Sequence, residues 1–317
     1  MRAVFLDFGT VSNGDLDTAA LERAVSGVVF HQQTSTAQVA ERVAGFEIVF
    51  ANKAVIDRAT IAANPQLRLI ALTATGVDNV DLAAARDSGI AVCNLVDYCT
   101  QSVVQHVFAM LLALTHRLLD YDSLVRAGGW QQAGQFSTFP YAIRELDGRV
   151  FGIVGHGTLG RAVGRTAAAF GMQVEVANRP GGLQQDGRVD LDELLPRVDV
   201  LSLHCPLTDA TRGLIGAARL ARMKPDAILI NTARGALIDT AALAAALKAG
   251  RLGGAAIDVL EREPPPPGHA LLDPTVPNLI LTPHVAWAAR EARQRCLDEL
   301  AQNVRAFNEG SQRNRVC

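Results

Sequence analysis

The sequence predicts an α/β protein built from doubly wound parallel sheets, and three observations carry that prediction. Short apolar runs of β-type residues alternate with segments of helical periodicity along nearly the whole chain, the pattern of strands joined by crossover helices. One stretch, from Arg149 to Arg179, compresses the pattern into a complete strand–turn–helix–strand unit. The chain has 317 residues, enough for two domains of ordinary size.

The organising stretch reads RVFGIVGHGTLGRAVGRTAAAFGMQVEVANR. Residues 150–154 form a β-branched run suited to a buried strand, and Gly155, Gly157 and Gly160 follow in G-x-G-x-x-G spacing. Ala162, Val163, Ala167 and Phe170 then recur at helical intervals, and residues 174–177 supply a second strand. Gly155 makes the tight turn, Gly157 lets the backbone approach a pyrophosphate, and Gly160 allows close helix–strand packing. The helix start, Thr158-Leu159-Gly160, offers unpaired N–H groups and a partial positive charge to phosphates. A G-x-G-x-x-G alone marks only a turn; with both strands and the helix in place it predicts dinucleotide binding.

Composition narrows the class. The chain is 49% hydrophobic and 20% charged, as ordinary globular enzymes are, and its net charge of −2 gives no electrostatic case for nucleic acid or an anionic membrane. The longest unbroken apolar run, 107–114, falls far short of the roughly 20 residues a bilayer needs. The opening MRAVFLDFG reads as a strand broken by Asp7, not as a leader peptide. Cys93, Cys99, Cys205, Cys296 and Cys317 are scattered, odd in number and without C-x-x-C spacing. They read as reduced thiols, so the expected compartment is the cytoplasm and no metal site is expected.

In chain order, strands are expected at 3–6, 47–51, 67–71 and 91–94, with helices at 17–24 and 36–43. Two loops at strand ends, Asn52-Lys53 and Thr73 to Asp78, lie where α/β sheets bind ligands, and Gly76 would let backbone N–H groups face an anion. From local sequence alone, plain turn chemistry is the favoured reading of both loops. Residues 100–120 form one long helical pattern with a broad apolar face, carrying Gln105-His106, which read as structural. A Gly-Gly-Trp turn at 128–130 follows, where Trp130 is either a partner contact or a loop anchor. Beyond Asn178, helices at 191–198, 217–223 and 240–249 alternate with strands at 200–204, 227–231, 254–258 and 279–282. The run 264–267 is all proline and must be an extended loop, and residues 288–307 form a final helix.

Three strand-end residues carry groups suited to hydride-transfer chemistry: Arg234, Glu263 and His284. A guanidinium holds a substrate carboxylate bidentately and polarises a neighbouring carbonyl better than a point charge does. An imidazolium donates a proton to the carbonyl oxygen and takes it back in reverse. A carboxylate beside the imidazole orients it and favours its protonated form.

These residues, with Thr75-Gly76-Val77-Asp78-Asn79-Val80-Asp81, GHGTLG (155–160), His204-Cys205-Pro206-Leu207-Thr208, NTARG (231–235), AAIDV (255–259) and Thr282-Pro283-His284, form a recognisable set. Over nearly its whole length the chain resembles the D-isomer-specific 2-hydroxyacid dehydrogenases. Residues 94–106, 136–143 and Ala286-Trp287-Ala288 look most like the glycerate dehydrogenase branch, the hydroxypyruvate or glyoxylate reductases. The resemblance implies two Rossmann-like doubly wound domains with a cleft between them: a flavodoxin-like substrate domain of residues 1–99 plus 288–317, and a dinucleotide-binding domain of 100–287. It implies Arg234 as substrate clamp, Glu263 as orienting carboxylate and His284 as proton donor. It also implies substrate contacts at Thr75, Gly76 and Trp287, and cofactor contacts at Cys205, Pro206, Thr211, Thr232, Asp258 and Ala286, with Asp258 on the nicotinamide amide. The helix from Thr100 would form much of a homodimer interface.

Two positions depart from the pattern. Gln105 stands where many relatives carry glutamate, and Asn178 stands where NAD-specific relatives carry aspartate. Asn178 removes the charge that would repel a 2′-phosphate, and Arg179 beside it can pair with one, so NADP(H) is favoured over NAD(H). The expected activity is reduction of hydroxypyruvate or glyoxylate to the D-2-hydroxy acid. Two alternatives stay open. One is a broader 2-keto acid reductase whose pocket Trp130 and Trp287 shape. The other is a dinucleotide sensor without catalysis, against which the intact Arg234, Glu263 and His284 argue.

Overall fold

The computed structural model of the chain describes residues 1–178, 182 and 185–317. They divide into two compact units, Met1–Cys99 with Trp287–Cys317, and Thr100–Ala286. The chain re-enters the first unit at Trp287, one residue before the expected 288.

In the first unit β1 (Arg2–Phe5), β2 (Gly27–Phe30), β3 (Ile48–Ala51), β4 (Leu69–Leu72) and β5 (Ala91–Cys93) form one parallel sheet, ordered β2-β1-β3-β4-β5. β3, β4 and β5 are buried throughout, which is why their sequences are unbroken apolar runs. β2 is an addition to the expected strands: it is an edge of four residues opened by Gly27 and only half covered, so its pattern is too weak to stand out. Two further helices, Arg58–Ala62 and Leu82–Asp87, begin where Asp57 and Asp81 accept backbone N–H groups from Thr60 and Ala84, each at 2.8 Å. The last helix, Arg290–Asn308, buries Ala292, Cys296, Leu297, Leu300, Ala301 and Val304 on one stripe and lies against β4.

In the second unit β6 (Val150–Val154), β7 (Gln173–Val176), β8 (Val200–Leu203), β9 (Ile228–Asn231), β10 (Gly254–Ile257) and β11 (Leu279–Leu281) are again all parallel, in the order β11-β10-β9-β8-β6-β7. A single parallel bridge from Ala177 to Val189 adds a rudimentary strand outside β7. Strand order therefore reverses between β6 and β8, the crevice where such sheets bind ligands. The helix expected over 100–120 is broken: Thr100–Thr115 ends, Arg117 takes a left-handed φ of 53°, and a second helix runs Leu118–Arg126. Arg117 is held in that turn by Asn278 and by Asp120 at 2.7 Å. The expected turn at 128–130 is instead the start of a short helix, Gly129–Ala133, entered through left-handed Gly128.

Candidate active site

The glycine turn after β6 has the shape a diphosphate needs. A Cβ on Gly155, whose φ is +96°, would sit 2.5 Å from the backbone of His204 and of Cys205, so only glycine lets the ends of β6 and β8 meet at the switch point. A Cβ on Gly160 would lie 2.0 Å from the Gly155 carbonyl oxygen, and the helix Thr158–Ala169 packs on the turn through that absence. Around Gly157 there is open space, no side chain caps the helix, and no acidic residue occupies its first turn. The N–H groups of Thr158, Leu159 and Gly160 therefore form an electropositive helix start beside that open space. Just past the end of β9, the buried hydroxyl of Thr232 has no hydrogen-bond partner among the described residues. These residues fit a dinucleotide.

The strand end at Asn178 is wired to its neighbours. Its N–H donates to the Val189 carbonyl at 2.7 Å, and its side-chain oxygen accepts from the Gln185 N–H at 3.1 Å. That register puts Arg188 directly before the residue bridged to Ala177. Partial burial, then the charges of Arg188 and Arg161, push the His156 imidazole below its ordinary value, a sign of positive potential beside the turn. Arg179 lies outside the described residues.

Three further expected cofactor contacts, Thr211, Ala286 and Cys205, lie in tightly built loops. Thr211 is 4% exposed, and its hydroxyl accepts from the Thr208 N–H at 2.7 Å and donates to the Pro206 carbonyl at 2.8 Å. It braces the loop that follows Cys205 and Pro206. Ala286 likewise donates its N–H to Asp258 Oδ2 at 2.9 Å, and its carbonyl accepts from Ser102 at 2.7 Å. Burial raises the Cys205 thiol to about 11, so it serves as a small apolar group.

The three ionisable residues sit on consecutive strand ends of the same sheet. Asn231, fully buried at the end of β9, donates to the Arg234 carbonyl at 2.9 Å and accepts from the Ala233 N–H at 3.0 Å, which fixes the loop bearing Arg234. A Cβ on Gly235 would fall 1.9 Å from the Leu260 carbonyl carbon, so this glycine lets the Arg234 loop lie on the loop after β10. The Leu260 N–H in turn donates to Glu263 Oε1 at 2.9 Å. Glu263 Oε2 lies 2.6 Å from His284 Nδ1. The carboxylate thus fixes the ring's tautomer and direction, and it does so at the wall of a mainly apolar cavity of about 400 Å³ that Leu272 and Leu281 also line.

His284 is held in an unusual backbone conformation, φ +55°. Its N–H donates to the Asp258 carbonyl at 2.8 Å. The Asp258 side chain has no exposed surface; Oδ1 accepts from the Thr282 hydroxyl at 2.6 Å and the Val285 N–H at 2.9 Å, and Oδ2 from Ala286. Three protein donors thus hold the Asp258 carboxylate inside the turn that carries His284. His106 Nε2 lies 3.0 Å from the Thr282 hydroxyl, a contact that spacing along the chain could not reveal.

In the first unit, the loops after β3 and β4 are built with equal care. Asp7, 4% exposed, accepts the N–H groups of Asn52, Lys53 and Ala54 at 2.9, 2.6 and 2.9 Å. Asn79 donates to the Ala54 carbonyl at 2.9 Å, tying the two loops together. Thr75 is exposed and its carbonyl accepts from Asn94 at 2.8 Å, with Gly76 following it. Trp287 packs edge-on to Tyr98 with ring centres 6.3 Å apart.

Comparison with known proteins agrees with this arrangement. Residues 108–286 match the family described as D-isomer specific 2-hydroxyacid dehydrogenase, NAD binding domain. The chain is 46% identical over 279 residues to a glycerate dehydrogenase of Methylorubrum extorquens, covering 88% of each. It is 35% identical over 322 residues to a hydroxypyruvate reductase of Blautia hydrogenotrophica, covering 100% of this chain and 99% of that one. Among solved structures, an acyclic imino acid reductase in complex with NADPH and D-Arg superposes over 100% of both chains with a TM-score of 0.86 at 28% identity. A nicotinamide-binding sheet, an acid–imidazole pair and relatives of this similarity lead to one assignment: the chain belongs to the D-isomer-specific 2-hydroxyacid dehydrogenases.

Proposed function

We propose that the protein reduces a short 2-keto acid, hydroxypyruvate or glyoxylate, to the D-2-hydroxy acid. The observation that carries this is the 2.6 Å contact between Glu263 and His284 on the sheet that also bears the glycine turn. The bound nicotinamide dinucleotide supplies the hydride. Arg234 holds the substrate carboxylate and draws electron density from the carbonyl. His284, its Nδ1 fixed by Glu263, delivers a proton from Nε2 to the carbonyl oxygen as negative charge develops there. In the reverse direction the neutral ring removes that proton, and Glu263 stabilises the resulting cation. The backbone at Thr75 and Gly76 serves as a second anchor for the substrate carboxylate, and Trp287 as a wall of its pocket. The names of the two enzymes above support a substrate with a short side chain.

NADPH is the proposed cofactor. Asn178 carries no charge, its acceptor oxygen is already engaged, and Arg161 and Arg188 add positive potential near the turn. Oxidation of NADPH and NADH should be followed against hydroxypyruvate, glyoxylate, pyruvate and phenylpyruvate. Hydroxypyruvate or glyoxylate with NADPH is expected to give the highest kcat/KM. Asn178→Asp should swing the preference toward NADH by about tenfold, since it restores the anion that repels a 2′-phosphate. Equal use of NADH by the parent enzyme overturns the cofactor reading.

A homodimer is the proposed assembly. Leu119, Trp130, Phe136 and Phe139 are 65%, 49%, 95% and 82% exposed within one short stretch, more apolar surface than a monomer ordinarily leaves in water. Light scattering on the purified protein tests this directly. The cytoplasm is the proposed compartment, supported by five cysteines that are all unpaired.

A further inference from the structure

We infer that His106 and Thr282 are positioning residues for proton transfer, acting on His284 through the Asp258 carboxylate. The inference rests on the reading of His284 as the proton donor. The direction of the hydrogen bonds is fixed by the atoms themselves. Thr282 has one hydroxyl hydrogen, and it points to Asp258 Oδ1 at 2.6 Å. Thr282 Oγ1 must then accept from His106, whose Nε2 is therefore the protonated ring nitrogen, at 3.0 Å. One chain of donors runs from the Thr100–Thr115 helix to a carboxylate with no exposed surface.

That carboxylate holds the turn on which the imidazole rides. Its two oxygens take the N–H groups of Val285 and Ala286, while the Asp258 and Thr282 carbonyls take the N–H of His284 at 2.8 and 3.0 Å. Rotation of the Asp258 side chain would release one of those N–H groups, and a left-handed histidine backbone relaxes once its restraints go. The Thr282 hydroxyl on Oδ1 blocks the rotation. His106 keeps Thr282 from turning to another acceptor. A reacting group displaced by about 1 Å loses on the order of a hundredfold in rate, so the frame need move only slightly to matter.

The test uses the full-length enzyme and the variants Thr282→Val, Thr282→Ser and His106→Leu. It reads kcat and KM for hydroxypyruvate, the Kd of NADPH by fluorescence titration, and the melting temperature. Thr282→Val and His106→Leu are expected to lower kcat about tenfold or more, with NADPH Kd within about twofold. Thr282→Ser should restore most of the loss. Parental kcat in both apolar variants overturns the inference. So does a kcat loss that tracks a fall in melting temperature and is not rescued by serine. Should Thr282→Val fail to fold, His106→Leu decides, because the His106 side chain is 21% exposed. Absence of turnover in the parent enzyme would instead refute the proposed function, which keeps the two failures apart.

Discussion

His284 draws its chemical character from two neighbours that act on different parts of it. Glu263 grips the ring at Nδ1, while the Asp258 frame fixes the backbone beneath. Glu263→Gln keeps an acceptor for the Leu260 N–H but removes the charge that stabilises an imidazolium. Its kcat should fall about tenfold to a hundredfold with NADPH Kd unchanged, and His284→Gln should fall further, toward the full 10²–10⁴ range of general acid catalysis. Unaltered steady-state turnover in His284→Gln would remove it as proton donor. Both residues were legible in the sequence because each closely follows a strand, where the topology alone delivers it to the sheet's carboxyl edge. His106 was not. Its partner lies 176 residues away, and nothing in the helix that bears it distinguishes a framing histidine from a core one.

At the level of elements, the glycines decide which loops may touch. Gly235 is the clearest case, since any Cβ there collides with the backbone of Leu260 and Glu261 and not with a movable side-chain tip. Gly235→Ala must push the Arg234 loop away from the loop that orients Glu263. Activity should drop by about a hundredfold, as misplacement of a reacting group predicts, while circular dichroism stays that of a folded α/β protein. Retention of parental kcat would show that the two loops act independently. Most strands could be read from their buried β-branched runs, within one or two residues at each end. The exceptions have physical reasons: β2 is a half-exposed edge, and the helix from Thr100 stops at Arg117 because one distant partner, Asn278, and one local one, Asp120, reward a turn that helical periodicity cannot report.

Across the molecule, the first unit is sewn from both ends of the chain. Arg293 of the last helix holds Asp15 bidentately at 2.8 and 2.6 Å, and this guanidinium lowers the carboxyl to about 2. A carboxyl whose folded value is depressed adds stability above its unfolded value, near 3.9, and loses it as pH falls toward the folded value. The contribution should therefore be intact at pH 7, fade below about pH 4 and be gone near pH 2. Asp15→Asn should lower the urea midpoint at pH 7, and the gap from the parent should close across that acid window. A gap of constant size from pH 7 to pH 2 would mean the carboxylate contributes no charge interaction.

The discontinuous make-up of that unit has a consequence during synthesis. A nascent chain emerging from the ribosome completes Thr100–Ala286 as one continuous stretch, so this part is able to fold while translation proceeds. The amino-terminal sheet appears earlier yet must wait, because the stripe that covers β4 (Cys296, Leu297, Leu300 and Val304) is translated only after the whole of Thr100–Ala286. The unit begun first is therefore completed only after the one inserted within it, and while those intervening residues are made the face of β4 lacks the helix that covers it.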